Sequence, residues 1–252
     1  DRANEFAFLF AVIPAVNIYS AVSLDGVIAA LAACMLLGLV MIVRRGLSVG
    51  AVILVALGLV LANTLTFAGL LLFAVVGLVA VAEAAERRFG MAAALIVSAA
   101  VGVALMLALR GVTGYDHVEA FRTATQLETA RGGSLFRLQG IYVWTRAENV
   151  LEMALFLSAS ALAVLLKPTL LGLKVLNARD RVNRLFLSMA VVLVVSFALG
   201  THRTGETARA CLWCYPFFML LMRRLDRRVL HALALSAGVQ TALMQVTGTY
   251  FW

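Results

Sequence analysis

Apolar residues run along the chain in long blocks separated by short polar links. The blocks cover 6–19, 26–43, 47–62, 66–82, 91–109, 149–166, 185–200, 210–222 and 229–249, about nine in all. None carries the period-two alternation of a membrane barrel strand. Backbone polar groups in lipid must be satisfied within the segment, so the blocks predict helices. Several reach only 16–18 residues, near the lower limit for a hydrocarbon core of about 30 Å at about 1.5 Å per residue. Pro14 and Pro216 are the candidate breaks. The pattern predicts an all-α fold: one polytopic transmembrane bundle of about nine helices over 1–252, with no soluble domain, tandem repeat or heptad pattern.

Composition agrees. Of 252 residues, 63% are hydrophobic and 13% charged, with mean hydropathy +0.99. A water-soluble domain is roughly 45–50% apolar and about 25% charged, so a soluble globule and a disordered chain are both excluded. Three Cys exclude a disulfide-framed module. The net charge of +8 reports topology here rather than nucleic-acid binding. Alternating the blocks puts 13 basic and four acidic residues on one side, among them Arg44, Arg45, Arg87, Arg88, Arg181, Arg184, Arg223 and Arg227. The remaining eight basic and nine acidic residues fall to the other side. The positive-inside rule makes the first side cytoplasmic, and Tyr142, Trp144, Tyr250 and Trp252 then mark the outer interface. Nearly all the basic residues are Arg, and Ala and Val are abundant, which suggests a GC-rich bacterial genome and an inner-membrane protein. The chain opens at Asp1 without a Met or a cleavable signal and reads as part of a longer protein.

The polar segments with chemistry gather on the non-cytoplasmic side. Residues 116–130, D-H-V-E-A-F-R-T-A-T-Q-L-E-T-A, place Val118, Phe121, Ala124 and Leu127 on one face, which predicts an interfacial amphipathic helix ended by Gly132-Gly133. Within the 110–147 loop it serves either as a connector or as a lid over a pocket. His202, Arg203, Glu206 and Arg209 lie close together at the mouth of two apolar blocks. They read either as a charged helix start, with Thr204 capping and Glu206 pairing Arg209, or as a site for a phosphate group. Asp25 follows Ser23 as a first-turn acid. Glu152 snorkels or pairs with Arg146. Cys211 and Cys214, in C-L-W-C, read as packing rather than redox chemistry, and Cys34 as buried. Asn63, Gln240 and Gln245 read as interhelical glue. Three scattered His give no metal cluster.

R-T-G-E-T-A-R-A-C-L-W-C-Y-P-F at 203–217 resembles the "R-x-G-E-x-x-R" signature near the C-terminus of membrane glycosyltransferases of the GT-C superfamily. I-P-A-V-N-I-Y-S-A-V-S-L-D-G at 13–26 resembles their turn before a long helix, and Y-V-W-T-R-A-E-N-V-L-E at 142–152 their loop-to-helix start. The resemblance implies sugar transfer from a polyprenyl-phosphate donor on the non-cytoplasmic face. It implies Arg203 and Arg209 near the phosphate, Glu206 orienting them, His202 assisting, Asp25 as the turn acid, and Tyr142 and Arg146 beside the substrate. The family's usual catalytic acid lies upstream of the Pro14 region, so no catalytic residue is assigned. No cofactor is assigned either, and a divalent metal is left open. The expected partners are membrane lipids and the lipid-linked sugar. The alternative is a non-catalytic subunit of a larger membrane complex. A transporter would show broken helices and internal repeats.

Overall fold

A computed structural model describes residues 2–20, 23–130, 142–166, 180–202, 205–223 and 225–248. Thirteen α-helices account for nearly all of them, and the described residues contain no strand. In chain order these are α1 (Arg2–Val12), α2 (Pro14–Ser20), α3 (Asp25–Arg45), α4 (Val49–Leu65), α5 (Ala68–Ala85), α6 (Phe89–Thr113) and α7 (His117–Ala130). There follow α8 (Tyr142–Leu157), α9 (Ala159–Leu166), α10 (Arg181–Ala198), α11 (Thr207–Ala210), a 3₁₀ turn (Leu212–Cys214), α12 (Tyr215–Met222) and α13 (Arg227–Thr247). The chain is an all-α integral membrane protein.

Helices α3, α6, α10 and α13 are each long and apolar enough to cross a membrane. Two bent pairs, α1–α2 at 69° and α8–α9 at 103°, raise the number to six. Val49–Leu65, Gly69–Ala85 and Leu212–Met222 are apolar but shorter. The nine blocks thus correspond to nine helical units, of which four to six have the length of a span. Much of their surface is apolar and faces outward: Leu107 is 61% exposed and Leu243 60%. Lipid accounts for such surface, since water would not tolerate it over several helices.

Small residues set the tightest packing. A Cβ on Gly38 would stand 2.8 Å from the Ala51 carbonyl, and one on Gly58 2.7 Å from Met35 Cβ. Only glycine at both positions lets α3 and α4 pack this closely, as membrane helix pairs do where hydrophobic drive is absent. The core between them holds Met35, Leu39, Val55 and Leu59.

One end of the bundle collects the basic residues. Arg184 of α10 pairs with the fully buried Glu83 at 2.9 Å and with Glu86, while Arg88 reaches Glu83 at 3.6 Å and Glu86 at 3.1 Å. Arg181 donates to the Val43 carbonyl at 3.0 Å, and Arg223 binds Asp180 and, at 2.8 Å, Asn183. Arg2 and Glu5 also lie here, against expectation: Arg2 donates to the Leu225 carbonyl at 2.5 Å, and Glu5 pairs with Arg227. Assigning them to the far side overlooked that α1 must begin where α3 ends. One charge of each sign changes sides, so the imbalance between the ends stands.

Three other expectations are corrected, and of the two readings of α7 the connector stands. The 149–166 block is broken at Ser158, whose φ is +95°, although it contains no Pro. The 210–222 block is a helical turn, a 3₁₀ turn and α12 rather than one helix, broken just before the candidate Pro216, which sits in the first turn of α12. Cys34 is exposed on α3 rather than buried, because it falls on the outward stripe with Val27 and Leu37. Helix α7 forms as predicted but packs at the α5–α6 end, through the Arg110–Asp116 pair at 2.8 Å and Phe121 against Phe67 at 5.6 Å, and not over a pocket. Asp116 accepts the backbone N–H groups of Glu119 and Val118, which hold its carboxyl below the usual range. Gly132-Gly133, Tyr250 and Trp252 lie outside the described residues.

Both breaks are stitched by α13. Thr241 Oγ1 donates to the Val12 carbonyl at 2.7 Å, beside the α1–α2 break. At the α8–α9 break, Gln240 Nε2 donates to the Leu155 carbonyl at 2.8 Å and Gln240 Oε1 accepts from the Ala159 N–H at 2.9 Å. Leu155 and Ala159 would be hydrogen-bond partners in a continuous helix; the Gln240 amide stands between them instead. Irregular backbone at membrane depth survives where side chains re-satisfy it. Asn63 contacts Met106 Sδ at 3.7 Å and Gln245 donates to Asn17 at 3.0 Å, so all three predicted glue residues bridge helices.

Candidate functional site

At the end opposite the basic cluster, α8 presents a polar stripe. Tyr142, Arg146, Asn149 and Glu152 step by four, three and three residues, which keeps them on one helical face. The stripe answers the C-terminal carbonyls of α10 and the turn that follows. Tyr142 donates its hydroxyl to the Ala198 carbonyl. Arg146 donates to the carbonyls of Phe197 and His202, both at 3.3 Å, with its guanidinium 5.2 Å over the Tyr142 ring. The Phe197 carbonyl, in the last turn of α10, also accepts the Gly200 N–H at 2.9 Å, and a cation beside that helix end answers its dipole. The Asn149 amide meets the Thr207 hydroxyl at 2.9 Å.

Glu152 does not pair with Arg146. Its Oε1 accepts the Ala208 N–H at 2.9 Å, at the start of α11, while Oε2 is buried without a hydrogen-bond partner. His202 is buried, bonded through Nδ1 to the Thr201 hydroxyl at 2.9 Å and edge-on to Phe197 at 5.2 Å. Burial, and after it the Arg146 charge, lower its pKa to about 4, so the ring is neutral near pH 7 and carries no charge for a phosphate.

Asp25, Glu206 and Arg209 form a second group. Arg209 lies 3.3 Å from Glu206 and 3.7 Å from Asp25, and Ser23 Oγ donates to Asp25 at 2.7 Å. The predicted Glu206–Arg209 pair is present, and α3 adds the turn acid to it. Glu206 occupies the N-cap position of α11 without a side-chain cap bond, because Glu152 reaches the Ala208 N–H instead. Arg203 and Thr204 lie outside the described residues.

A cavity of about 590 Å³ runs along α8; of the groups above Glu152 lines it, while Tyr142, Arg146, His202, Asp25, Glu206 and Arg209 do not. Tyr19, Trp144, Phe156, Glu148, Glu152 and Gly205 line it. Trp144 and Ala147 are its described contributions from the 110–147 segment, and Gly205, at φ +81°, turns the chain at its rim. Asp25, Glu206, Glu148 and Glu152 outnumber Arg146 and Arg209, so the described site is acidic overall. Glu148, Asn149 and Thr207 escaped notice in the sequence, although the three-and-four spacing along 142–152 was there to find them. Cys211 and Cys214 are fully buried free thiols that pack around Trp213, as expected. Among the described residues, no three His, Cys, Asp or Glu side chains come together to hold a metal. No protein-family model, curated protein or solved structure matches the chain.

Proposed function

We propose that this is a glycosyltransferase-like protein of the bacterial inner membrane, taking a sugar from a polyprenyl-phosphate donor at the cavity along α8, on the non-cytoplasmic face. The observation that carries the reading is the meeting of Asp25, Glu206 and Arg209, from turns far apart in sequence, where Glu206 directly follows Gly205 at the rim of a cavity of substrate size. The exposed ring of Trp144 suits a sugar, while Tyr19 and Phe156, buried and stacked on each other at 5.3 Å, close the wall. Glu152 takes the acceptor hydroxyl's proton as its oxygen attacks the anomeric carbon. The sugar–phosphate bond breaks, polyprenyl phosphate leaves, and Arg209 with Arg203 meets its charge.

One observation favours a second reading, a non-catalytic subunit of a larger membrane complex. Arg209 stands between two carboxylates, so the described site offers a phosphate little net positive charge.

Transfer from a radiolabelled polyprenyl-phosphate sugar, assayed in membranes carrying the full-length protein, separates the two. Glu152→Gln keeps an oxygen for the Ala208 N–H but loses the proton acceptor, and should lower transfer by about 10²–10⁴-fold. Arg209→Ala should also abolish it while the protein stays inserted. Wild-type transfer in both variants overturns the assignment. An inactive wild-type protein that purifies in fixed stoichiometry with other membrane subunits establishes the second reading.

A further inference from the structure

The basic end holds two hollows that share one side chain. The first, of about 530 Å³, is lined by Val43, Arg44, Asp180, Arg181, Val182 and Arg223. The second, of about 560 Å³, is an apolar groove between α1, α3 and α12, with Phe6, Phe10, Ala33, Leu37 and Met219 in its walls. Arg223 lines both. Along α3 the groove begins at Ala33 and the polar hollow ends at Arg44. Eleven residues of helix span about 16 Å, roughly half of a hydrocarbon core of about 30 Å. The compartments therefore follow each other from mid-membrane to the interface, over the depth of one leaflet.

We propose that these hollows form a binding site for one anionic phospholipid, its acyl chain in the α1–α3–α12 groove and its phosphate headgroup among Arg44, Arg181 and Arg223. Charge complementarity selects the headgroup. Three arginines face one carboxylate, Asp180, and Asp180 is held by Arg223. Among the described residues Arg44 is exposed and makes no ion pair, and Arg181 makes one hydrogen bond, to the Val43 carbonyl, with Glu86 close enough to feel its charge. A choline or ethanolamine headgroup would bring its ammonium to a positive pocket; a net-negative headgroup answers it. The groove selects a lipid over a soluble anion, which would leave that apolar wall unused. Basic pockets between membrane helices are general sites for anionic headgroups. This inference is independent of the sugar-transfer reading and lies at the opposite end of the bundle.

The test is competition between a fluorescent phosphatidylglycerol and unlabelled phosphatidylglycerol, phosphatidylcholine or inorganic phosphate, on the full-length protein in detergent micelles. Phosphatidylglycerol should compete at least tenfold better than phosphatidylcholine, and millimolar inorganic phosphate should not displace the probe. Each arginine near a charged surface is worth about 1 kcal/mol, or about fivefold. Arg44→Gln should thus weaken phosphatidylglycerol about fivefold and Arg44→Gln/Arg181→Gln about 25-fold, leaving phosphatidylcholine unchanged. Ala33→Leu, which narrows the groove, should weaken both lipids alike. Arg44→Gln alone tests the headgroup even if the double variant fails to fold, because Arg44 is solvent-facing. Equal binding of the two lipids by the wild type, a full preference retained in Arg44→Gln, or displacement by inorganic phosphate would each overturn the proposal.

Discussion

Replacing Gln240 by methionine keeps the length and volume of the side chain and removes both of its polar atoms. In the folded protein those atoms join the Leu155 carbonyl and the Ala159 N–H across the α8–α9 break. The two losses are unequal. Leu155 retains the Ser158 N–H at 3.2 Å, so it gives up one of two donors. Ala159 is left with none, and Gln240 lies 13 residues beyond Arg227, about 20 Å along α13, at a depth where little water reaches. An orphaned donor costs about 1–3 kcal/mol and a lost hydrogen bond about 1 kcal/mol, which together give about 2–4 kcal/mol. That is roughly a thirty- to several-hundred-fold change in the unfolding equilibrium. Unfolding by SDS in mixed micelles, followed by the fluorescence of the fully buried Trp213, measures it. A Gln240→Met variant within about 0.5 kcal/mol of wild type would refute the reasoning, since α8 and α9 could then close their own backbone without α13.

Arg184→Met should destabilise by about 3–5 kcal/mol in the same assay, because it strands the fully buried Glu83 with only Arg88, 3.6 Å away. Adding Glu83→Gln should restore part of that loss, and strict additivity would show that the pair is not coupled. His202 titrates at about 4 when folded and at its ordinary 6.5 when unfolded, so below 6.5 the unfolded chain takes up a proton that the folded chain refuses. Its contribution is complete above pH 6.5 and is lost as pH falls toward 4, by up to about 3 kcal/mol. Comparing unfolding midpoints at pH 7.5 and 4.5 should show a smaller drop in His202→Gln than in wild type.

The helices were legible because hydrophobic blocks of that length have few other solutions in a membrane. Pro14 announced its break by removing a donor. Ser158 announced nothing: A-L-F-L-S-A-S-A-L reads as one uninterrupted helix, and what makes its break tolerable is Gln240, some eighty residues later. The same holds at the candidate site. Glu206 and Arg209, three residues apart on one helix, were predicted to pair and do. That Asp25 joins them, or that Glu152 turns to Ala208 instead of Arg146, depends on how α3, α8 and α11 pack, which no local pattern encodes. Residues whose partners are near in sequence were readable; for Gln240, which serves another helix's backbone, the interhelical role was readable but its partner was not.

This division bears on how the cavity holds its shape. Helix α8 supplies most of its wall, and α8 is fixed at both ends through backbone groups. At its start Tyr142 and Arg146 take the carbonyls that end α10. Near its other end the Leu155 carbonyl is held by Gln240 of α13. Between these fixings lie Ala147, Glu148, Leu151 and Glu152 of the cavity wall, and Glu152 is tied to the neighbouring backbone of α11. The break at Ser158 thus does more than bend a helix. It ends α8 where α13 can grip it, so the wall carrying both cavity carboxylates is positioned by polar bonds from two separate helices rather than by apolar packing alone. Packing in lipid discriminates weakly between helix rotations, because lipid tails are as apolar as the side chains they replace. Directional hydrogen bonds at each end of α8 remove that freedom, and they fix which face of the helix lines the cavity.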